Sequence, residues 1–307
     1  MARVHNRMAR LRQRRWRLAS YRTEQRHIIM GGAPRSGTTL LRRLFDRHPD
    51  VCSGAETKLF VPAAFNLEWL AQSYQVPLAE LVALHEGSPS QGAFIDAFAE
   101  RVRRAAGKSC WAEKTPMNIR NLDWIMPRWP NAAVVHIIRD GRDVVCSMRQ
   151  HPDWRWVEGA WQKILVPRSI ESYARRWLAD TATGMAWRDD PRYVEVRYED
   201  LVADPAAALR SLCDGIGLSV DPGWIAAVAR TTDADATTEA ASPTGSSSPD
   251  ARPDYEGPVS SVSVGRWRVD LGPAEQVEVD RMCRPRLIEL GYEPWVGPPH
   301  GGPAQEA

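Results

Sequence analysis

The sequence predicts an α/β domain with a central parallel β-sheet of about five strands and helices on its flanks. The main observation is a rhythm of five short apolar runs, most of which lead into a loop and then a helical pattern. Such alternation is typical of parallel strands joined by crossover helices. The runs are His27–Met30, Asp50–Ser53, Ser109–Trp111, Ala133–Ile138 and Tyr193–Arg197. A glycine-rich turn after the first run supports the same architecture.

The composition indicates one soluble globular domain. The 307 residues are 43% hydrophobic, and no apolar run approaches the ~18–20 residues that a membrane-spanning helix needs. A formal net charge of +2 is nearly balanced, so we expect neither a nucleic-acid nor a membrane partner. The 5 cysteines lack any C-x-x-C spacing, which predicts reduced thiols and no zinc site.

The chain divides into a basic arm, one domain and a short tail. Residues 1–26 are rich in arginine, and no apolar segment follows them, so we expect a solvated arm and a cytoplasmic protein rather than a signal peptide. Residues 27–296 form the domain. Within it, residues 61–108 are predicted to form a helical wall beside the cleft. Residues 231–258 are rich in Ala, Thr, Ser, Asp and Pro, which predicts a flexible lid loop. Residues 297–307 are a predicted disordered tail.

The first motif is IIMGGAPRSGTTLLRRLF, residues 28–45. An apolar strand, glycines and a helix start place backbone N–H groups and the positive helix end around an anion, as in a P-loop-like fold. Gly32 and Gly37 have the spacing of a nucleotide-triphosphate loop, but Thr38 stands where that loop has its lysine. The positive charge lies instead on Arg35. A glycine-rich turn of purely structural origin remains the alternative.

The second motif is VVHIIRDGRDVVCSM, residues 134–148. Arg139 follows a buried strand, and Ser147 lies on the helix that comes next. A guanidinium and a hydroxyl that converge in this way predict a site for a second phosphate. The alternative is a structural ion pair between Arg139 and Asp140, with Ser147 as a packed residue.

The third motif is VEVRYEDLVADP, residues 194–205, in which Tyr198 ends the fifth strand and can lay its ring against a base. Together the three motifs resemble those of the 3'-phosphoadenylyl-sulfate (PAPS)-dependent sulfotransferases: PRSGTT resembles their 5'-phosphosulfate loop, RDGRDVVCS their 3'-phosphate motif and RYEDL their adenine-side strand. The resemblance runs from about residue 27 to residue 291. It implies PAPS as co-substrate, 3'-phosphoadenosine 5'-phosphate (PAP) as product, and cofactor contacts from Arg35, Ser36, Gly37, Thr38, Thr39, Arg139, Ser147 and Tyr198.

Within that family the sequence is most similar to the tyrosylprotein sulfotransferases. The stretch PRSGTTLLRRLFDRHPDVCSGAETK resembles their P-R-S-G-T-T-L, H-P-D and E-T-[RK] series. The resemblance implies that Glu56 is the catalytic base, that Lys58 binds the acceptor and that Lys114, in EKTP, is catalytic. SVGRWR resembles their C-terminal segment that closes on the cofactor, which implies cofactor contacts from Arg266 and Arg268.

Two departures from the family pattern bear on the acceptor. The family's further arginine after E-T-R falls here in the apolar run LFVPAAF. A small-molecule acceptor is therefore favoured over an acidic peptide, while phenolic, sugar and tyrosyl hydroxyls all stay open, as does a homodimer. The family's late catalytic serine has no clear counterpart, although Ser246, Ser247 and Ser248 lie in the expected lid loop.

The chemistry of sulfuryl transfer assigns the roles. Negative charge grows on the leaving phosphate oxygen, by analogy with phosphoryl transfer. Arg35, Lys114 and the loop amides are placed to stabilise that oxygen, while Glu56 accepts the proton of the acceptor hydroxyl. No metal is expected. Without the resemblance, Glu56 would be predicted to be a solvated loop carboxylate and Lys114 an exposed lysine.

Alternative functions and an alternative base also follow from the sequence. A P-loop kinase would use ATP and magnesium, which the missing lysine disfavours. A non-catalytic nucleotide-binding protein would keep the phosphate contacts but lose the catalytic proton acceptor. A histidine base would be His48 or His136, yet the first lies in an HPD turn and the second inside a strand, so both are predicted to be structural.

Overall fold

The computed structural model describes residues 13–61, 65–150, 153–157, 160–164, 168–234, 263–295 and 297. The strands are β1 His27–Gly31, β2 Val51–Ser53, β3 Cys110–Lys114, β4 Ala133–Ile138, β5 Asp153–Val157, β6 Ala160–Ile164 and β7 Tyr193–Arg197. The α-helices are α1 Thr38–Asp46, α2 Leu67–Tyr74, α3 Leu78–Gly87, α4 Gln91–Ala106, α5 Leu122–Ile125, α6 Gly141–Gln150, α7 Ile170–Met185, α8 Tyr198–Ala203, α9 Pro205–Ile216, α10 Pro222–Ala234, α11 Trp267–Asp270 and α12 Pro273–Glu289. A 3-10 helix covers Pro116–Asn121.

The structure confirms the predicted parallel sheet of five strands. Its order is β2, β3, β1, β4 and β7, and all four pairings are parallel. Two boundaries differ from the sequence prediction: β3 continues to Lys114, and Tyr198 begins α8 instead of ending the fifth strand. β5 and β6 form a separate antiparallel pair, which the sequence analysis did not predict.

Local side-chain chemistry explains where several helices begin and end. Asn66, Ser90 and Asp204 each accept a backbone N–H from the first turn of α2, α4 and α9, respectively. These contacts satisfy donors that a helix start leaves unpaired. Pro205 is the first residue of α9, and Gly217 ends the helix in the left-handed conformation.

The core lies on both faces of the sheet because neighbouring residues of a strand point to opposite sides. Ile28 and Met30 of β1 pack in one apolar cluster, whose helical members come from α1, α8, α9 and α10. Ile29 packs in the other, with side chains of α4 and the region around α5. A third cluster joins α6, α7 and α12. Burial of each large apolar side chain stabilises the fold by about 1.5–3 kcal/mol.

The described part of the basic arm packs against the domain. Residues 13–18 are helical, and the Trp16 indole donates to the Ser88 carbonyl over 2.9 Å. The Tyr21 hydroxyl donates to the Asp96 carboxylate over 2.5 Å. Residues 13–26 therefore differ from the solvated arm that the sequence predicted, because their aromatic side chains find polar and apolar partners on the helical wall.

The helical wall contains α2, α3 and α4, within the predicted residues 61–108. Of the predicted lid loop, residues 231–234 belong to α10, while 235–258 lie outside the described residues, as do Ser246, Ser247 and Ser248. All five cysteines are buried and unbridged. Within the described ranges, no helix has both the length and the apolar composition needed to cross a bilayer.

We expect His136 to make the stability of the fold depend on pH. It is buried in β4, and its Nδ1 lies 2.5 Å from the Tyr193 hydroxyl. Burial lowers the pKa of His136 from 6.5 to about 4, against the opposing effect of Glu195. The unfolded chain therefore binds a proton as the pH falls through 6.5, whereas the folded chain does so only near 4.

We predict that the free energy of unfolding decreases between pH 6.5 and pH 4 by on the order of 2–3 kcal/mol from this histidine. Denaturant unfolding at a series of pH values measures the decrease. In His136→Gln this part of the slope should vanish, since the variant has no group that titrates there. An unchanged slope in His136→Gln would contradict the assignment.

Candidate active site

The loop between β1 and α1 has a backbone that only glycine fits at two points. A Cβ on Gly32 would lie 2.4 Å from the Ile137 carbonyl oxygen, and one on Gly37 would lie 2.3 Å from the Tyr198 ring. Gly37 has a left-handed φ of 96°. The loop therefore passes directly over the ends of β4 and β7, and α1 begins at Thr38. The unpaired N–H groups and the positive end of this helix favour an anion at this place.

Arg35 stands in the middle of this loop with a φ of 74°. A left-handed conformation is uncommon for a residue with a side chain and stores strain, which is frequent at ligand sites. Its Nε donates to Ser147 Oγ of α6 over 3.1 Å. The predicted 5'-phosphate loop and the predicted 3'-phosphate serine are therefore in direct contact.

Arg139 lies beside this loop at the end of β4 and is 5% exposed. Its Nη1 donates to the Arg35 carbonyl over 3.2 Å, and its Nη2 donates to the Ser263 carbonyl. Asp140, the partner considered for Arg139 in the structural alternative, pairs with Arg142 at 2.7 Å. Backbone carbonyls thus hold the Arg139 guanidinium beside Arg35, and its Nη2 also lies 3.9 Å from the Asp143 carboxylate. The ion pair with Asp140, which was the structural alternative, is not formed.

Tyr198 connects these two elements. Its ring lies under the Arg139 guanidinium, with 4.4 Å between the guanidinium carbon and the ring centroid. The same ring covers Gly37. The buried tyrosine therefore contacts both of the motifs that are predicted to bind phosphate, and its contact with an adenine ring remains a prediction.

Glu56 and Lys114 form an ion pair at the carboxyl ends of β2 and β3. Lys114 Nζ lies 2.8 Å from Glu56 Oε1 and 3.5 Å from Thr39 Oγ1. The Lys114 side chain is only 3% exposed and that of Glu56 is 19% exposed. The alternatives of a solvated carboxylate and an exposed lysine are therefore wrong. The pair lies at the first turn of α1.

The helical wall holds the loop that carries Glu56. The Trp69 indole of α2 donates to the Glu56 carbonyl over 2.9 Å, and the Tyr74 hydroxyl donates to the Ala55 carbonyl over 2.7 Å. Lys58 follows with a left-handed φ of 57°. Sequence reasoning missed Trp69 and Tyr74, because no local motif shows which backbone carbonyl a distant aromatic side chain will reach.

Arg266 and Arg268 lie on a segment that is fixed to α6. Asp143 accepts the backbone N–H groups of Gly265 and Trp267 over 2.8 and 3.0 Å. The Arg266 guanidinium bonds to Asp270 and Gln150, and that of Arg268 lies 4.6 Å from the Trp267 ring centroid. Their contact with a cofactor phosphate therefore stays a prediction.

A sequence model of the sulfotransferase family matches residues 27–222. The chain belongs to this family. Among its relatives, protein-tyrosine sulfotransferase 2 of Gallus gallus is 25% identical over 301 residues, 92% of this chain and 73% of that protein. The protein-tyrosine sulfotransferase of Drosophila melanogaster is 32% identical over 141 residues, 43% of this chain and 27% of that protein. Nodulation protein NoeE of Sinorhizobium fredii is 28% identical over 292 residues, 85% of this chain and 65% of that protein.

Solved sulfotransferase structures share the fold. The sulfotransferase domain of the Synechococcus PCC 7002 olefin synthase superimposes with a TM-score of 0.57 at 19% identity, over 91% of this chain and 98% of that domain. Mouse sulfotransferase SULT7A1, complexed with PAP, gives a TM-score of 0.53 at 14% identity, over 88% of each chain. The chain spans only about a quarter of the length of the fly relative. These similarities therefore establish the sulfotransferase family and fold but do not identify the substrate.

The residues present fit an anionic nucleotide with two phosphate groups. Ser36 Oγ and Arg139 Nε are buried and have no hydrogen-bond partner among the described residues. Buried polar atoms are normally paired, so these two donors are suited to a ligand that enters the sulfotransferase loop. Within the described ranges, no group of three or more His, Cys, Asp and Glu side chains is arranged to hold a metal ion.

We predict that Gly37→Ala destabilises this sulfotransferase by at least about 1–2 kcal/mol, since alanine is strained in the left-handed conformation. Displacement of the Tyr198 ring adds to this loss. Denaturant unfolding measures the change.

Gly87→Ala is the matched control, because a Cβ there meets nothing within 4 Å. It should be neutral or slightly stabilising at the end of α3. If both alanine variants are equally stable, the close contact of the loop with Tyr198 is not present in solution.

Proposed function

We propose that the protein transfers a sulfuryl group from PAPS to the hydroxyl of an acceptor. The observation that carries this proposal is the Glu56–Lys114 pair, 2.8 Å apart, at the first turn of the phosphate-loop helix. Lys114 reaches toward Thr39 of that helix. An acid–base pair therefore stands at one side of the anion site, while Arg139 and Ser147 stand at the other.

The donor would be held at both of its phosphate groups. The loop amides, Ser36 and Arg35 are suited to the 5'-phosphosulfate, and Arg139 and Ser147 to the 3'-phosphate. Tyr198 packs between the two sites, and its ring lies near the place where the adenine of the donor would bind. Bound PAPS supplies the activated sulfuryl group and a phosphate leaving group. Charge-assisted hydrogen bonds to such phosphate oxygens are among the stronger contacts that proteins make.

The catalytic groups then have distinct tasks. Glu56 accepts the proton of the acceptor hydroxyl while the acceptor oxygen forms a bond to sulfur. The bond between sulfur and the 5'-phosphate oxygen breaks, and its electron pair remains on that oxygen. Lys114, Arg35 and the loop amides stabilise the charge that develops there. The Lys114–Glu56 contact keeps the proton acceptor close to the cation that stabilises the leaving oxygen.

Two other functions are less well supported. A P-loop kinase would need a cation where Thr38 stands at the start of α1, whereas the nearby cation Lys114 comes from β3 and pairs with Glu56. A non-catalytic nucleotide-binding protein would have no reason to keep Lys114 buried against a carboxylate, because burial of unpaired charge is costly and burial of a pair needs good geometry.

For the acceptor, we favour a small-molecule hydroxyl over an acidic peptide. Leu59, Phe60 and Val61 are buried, so this part of the run that replaces the family's further arginine supplies no cation to an acidic acceptor. Phenolic, sugar and tyrosyl hydroxyls all have the required O–H group.

We predict that PAP binds at least about tenfold more tightly than ADP, because charge-assisted contacts to the 3'-phosphate contribute about 1.5–3 kcal/mol each. Isothermal calorimetry on the full chain measures both affinities. Arg139→Ala and Ser147→Ala should reduce the preference for PAP and leave ADP binding less affected.

Arg175→Ala is the control for charge, since Arg175 is an exposed residue of α7 that pairs with Glu171. It should bind PAP as the wild type does. Equal affinity of the wild type for PAP and ADP would sink the assignment of Arg139 and Ser147 to a 3'-phosphate.

We predict that Glu56→Gln lowers turnover by about 100- to 10,000-fold and leaves PAP affinity nearly unchanged, because glutamine keeps the shape but cannot accept the proton. The assay follows PAP release from PAPS, with 2-naphthol as acceptor, because this hydroxyl stays protonated near neutral pH. Glu68→Gln, an exposed change on α2, is the control and should retain full turnover.

A histidine base is the competing outcome. His48 Nε2 contacts the Ser219 carbonyl at 2.9 Å, and its Nδ1 accepts the Asp50 backbone N–H. Both ring nitrogens thus have protein partners. If Glu56→Gln retains turnover while His48→Ala or His136→Ala folds but loses it, Glu56 is not the base.

A further inference from the structure

Glu113 is a buried carboxylate directly before Lys114, and the sequence motifs assign it no role. It is 1% exposed. Its Oε1 accepts the Thr57 backbone N–H over 3.1 Å, the Thr57 hydroxyl over 2.8 Å and the Thr115 hydroxyl over 2.7 Å. Its Oε2 accepts the Asn118 side-chain amide. The carboxylate therefore joins the loop that carries Glu56 to the end of the strand that carries Lys114.

The contact with Thr57 fixes one particular peptide group. The N–H of the peptide between Glu56 and Thr57 donates to Glu113, and its carbonyl accepts the Trp69 indole N–H. A peptide group is planar, so partners at both ends fix its orientation. The direction in which the Glu56 side chain leaves the backbone is thereby restricted.

The adjoining peptide groups are held in the same manner. The Ala55 carbonyl, before Glu56, accepts the Tyr74 hydroxyl over 2.7 Å. The Lys58 N–H, after Thr57, donates to the Thr115 hydroxyl oxygen over 3.1 Å, and Thr115 itself donates to Glu113. Glu113 therefore helps to hold two of these three consecutive peptide groups, the first directly at Thr57 and the second through Thr115 at Lys58.

The polarity of the site matches an ionised carboxylate. All four groups donate to Glu113, as an acceptor-only side chain requires. Burial raises the pKa of Glu113, while the hydrogen bonds from Asn118, Thr115 and Thr57 lower it in part. Asn118 also donates to the Met30 carbonyl of β1 over 3.1 Å, which connects the carboxylate to the strand that leads into the phosphate loop.

We propose that Glu113 is a positioning residue that orients the Glu56–Thr57 peptide group and so keeps the general base beside Lys114. The proposal rests on the function proposed above. Glu113 acts through Thr57 and Thr115 and touches neither donor nor acceptor. Its loss lets Glu56 leave the position in which it meets the acceptor hydroxyl, while the nucleotide contacts of Arg139 and Ser147 stay in place.

The first test measures the position of the loop without any turnover. Glu113→Gln keeps the shape and weakens the acceptor. Amide hydrogen exchange of peptides within residues 54–61, in the full chain, should become faster, because the Thr57 and Lys58 amides lose protection. Asp96→Asn is the matched control: Asp96 is also a buried carboxylate, and it accepts from His27, Tyr21 and Trp129 away from the site. It should leave exchange in 54–61 unchanged.

The second test separates positioning from general destabilisation. PAP release from PAPS is measured with 2-naphthol as acceptor. Glu113→Gln should lower kcat by about 10- to 100-fold, the order expected for a displaced catalytic group, with the Kd for PAP within about twofold of wild type. Asp96→Asn should retain kcat even if its melting temperature falls as far.

Three further variants test the same peptide group. Trp69→Phe removes the donor to the Glu56 carbonyl and keeps an aromatic ring. Its loss of kcat should be non-additive with that of Glu113→Gln, since both act on one peptide. Thr57→Val should lower kcat, and Thr57→Ser should restore it, because serine returns the hydroxyl.

The outcomes distinguish this proposal from the function on which it rests. Failure of the wild type to bind PAP overturns the proposed function, whereas exchange in 54–61 still decides whether Glu113 fixes the loop. Unchanged exchange and unchanged kcat in Glu113→Gln overturn the positioning role. Parallel loss of kcat in Glu113→Gln and Asp96→Asn does so as well, since it shows a structural effect only.

Discussion

The close passage of the β1–α1 loop over its neighbouring strands is the constraint on which the site depends. The loop leaves no room for a Cβ at Gly32, against the Ile137 carbonyl, or at Gly37, against the Tyr198 ring. β1 is the middle strand of the sheet, so its loop opens where connections on the two sides diverge. Ligands of open α/β sheets bind at such a point.

The strand order then places two different groups of side chains on the two sides of this loop. β3 and β2, on one side, carry Lys114 at the strand end and Glu56 just beyond. β4 and β7, on the other side, lead to Arg139 and Tyr198, which stack on each other. The proposed acid–base groups and the proposed nucleotide-binding groups therefore lie on opposite sides of the start of α1. Arg35 spans the division, because it lies in the loop and donates to Ser147 of α6.

The sequence alone predicted the sheet and the motif residues, because apolar runs and glycine spacing are local signals. It also predicted that Arg35 lies in the turn after the first strand and that Arg139 follows another strand. It did not predict that Lys114 is buried against Glu56, nor that Asp140 pairs with Arg142. Trp69 and Tyr74 escaped notice because their partners are backbone carbonyls 13 and 19 residues away in the sequence. Glu113 did so because its contacts with Thr57, 56 residues away, form only in the folded chain. Such contacts have no periodic or motif signature.

A crystal structure of the full chain with PAP is the most direct test of the central claim, that one loop joins two phosphate sites. The account predicts the 5'-phosphate on the backbone amides of residues 35–39 and the 3'-phosphate within about 3 Å of both Arg139 and Ser147. The adenine ring should lie on the Tyr198 side of the loop, with the Glu56–Lys114 pair at the 5' end. A 3'-phosphate bound away from Arg139, or a 5'-phosphate outside the loop, would contradict the account.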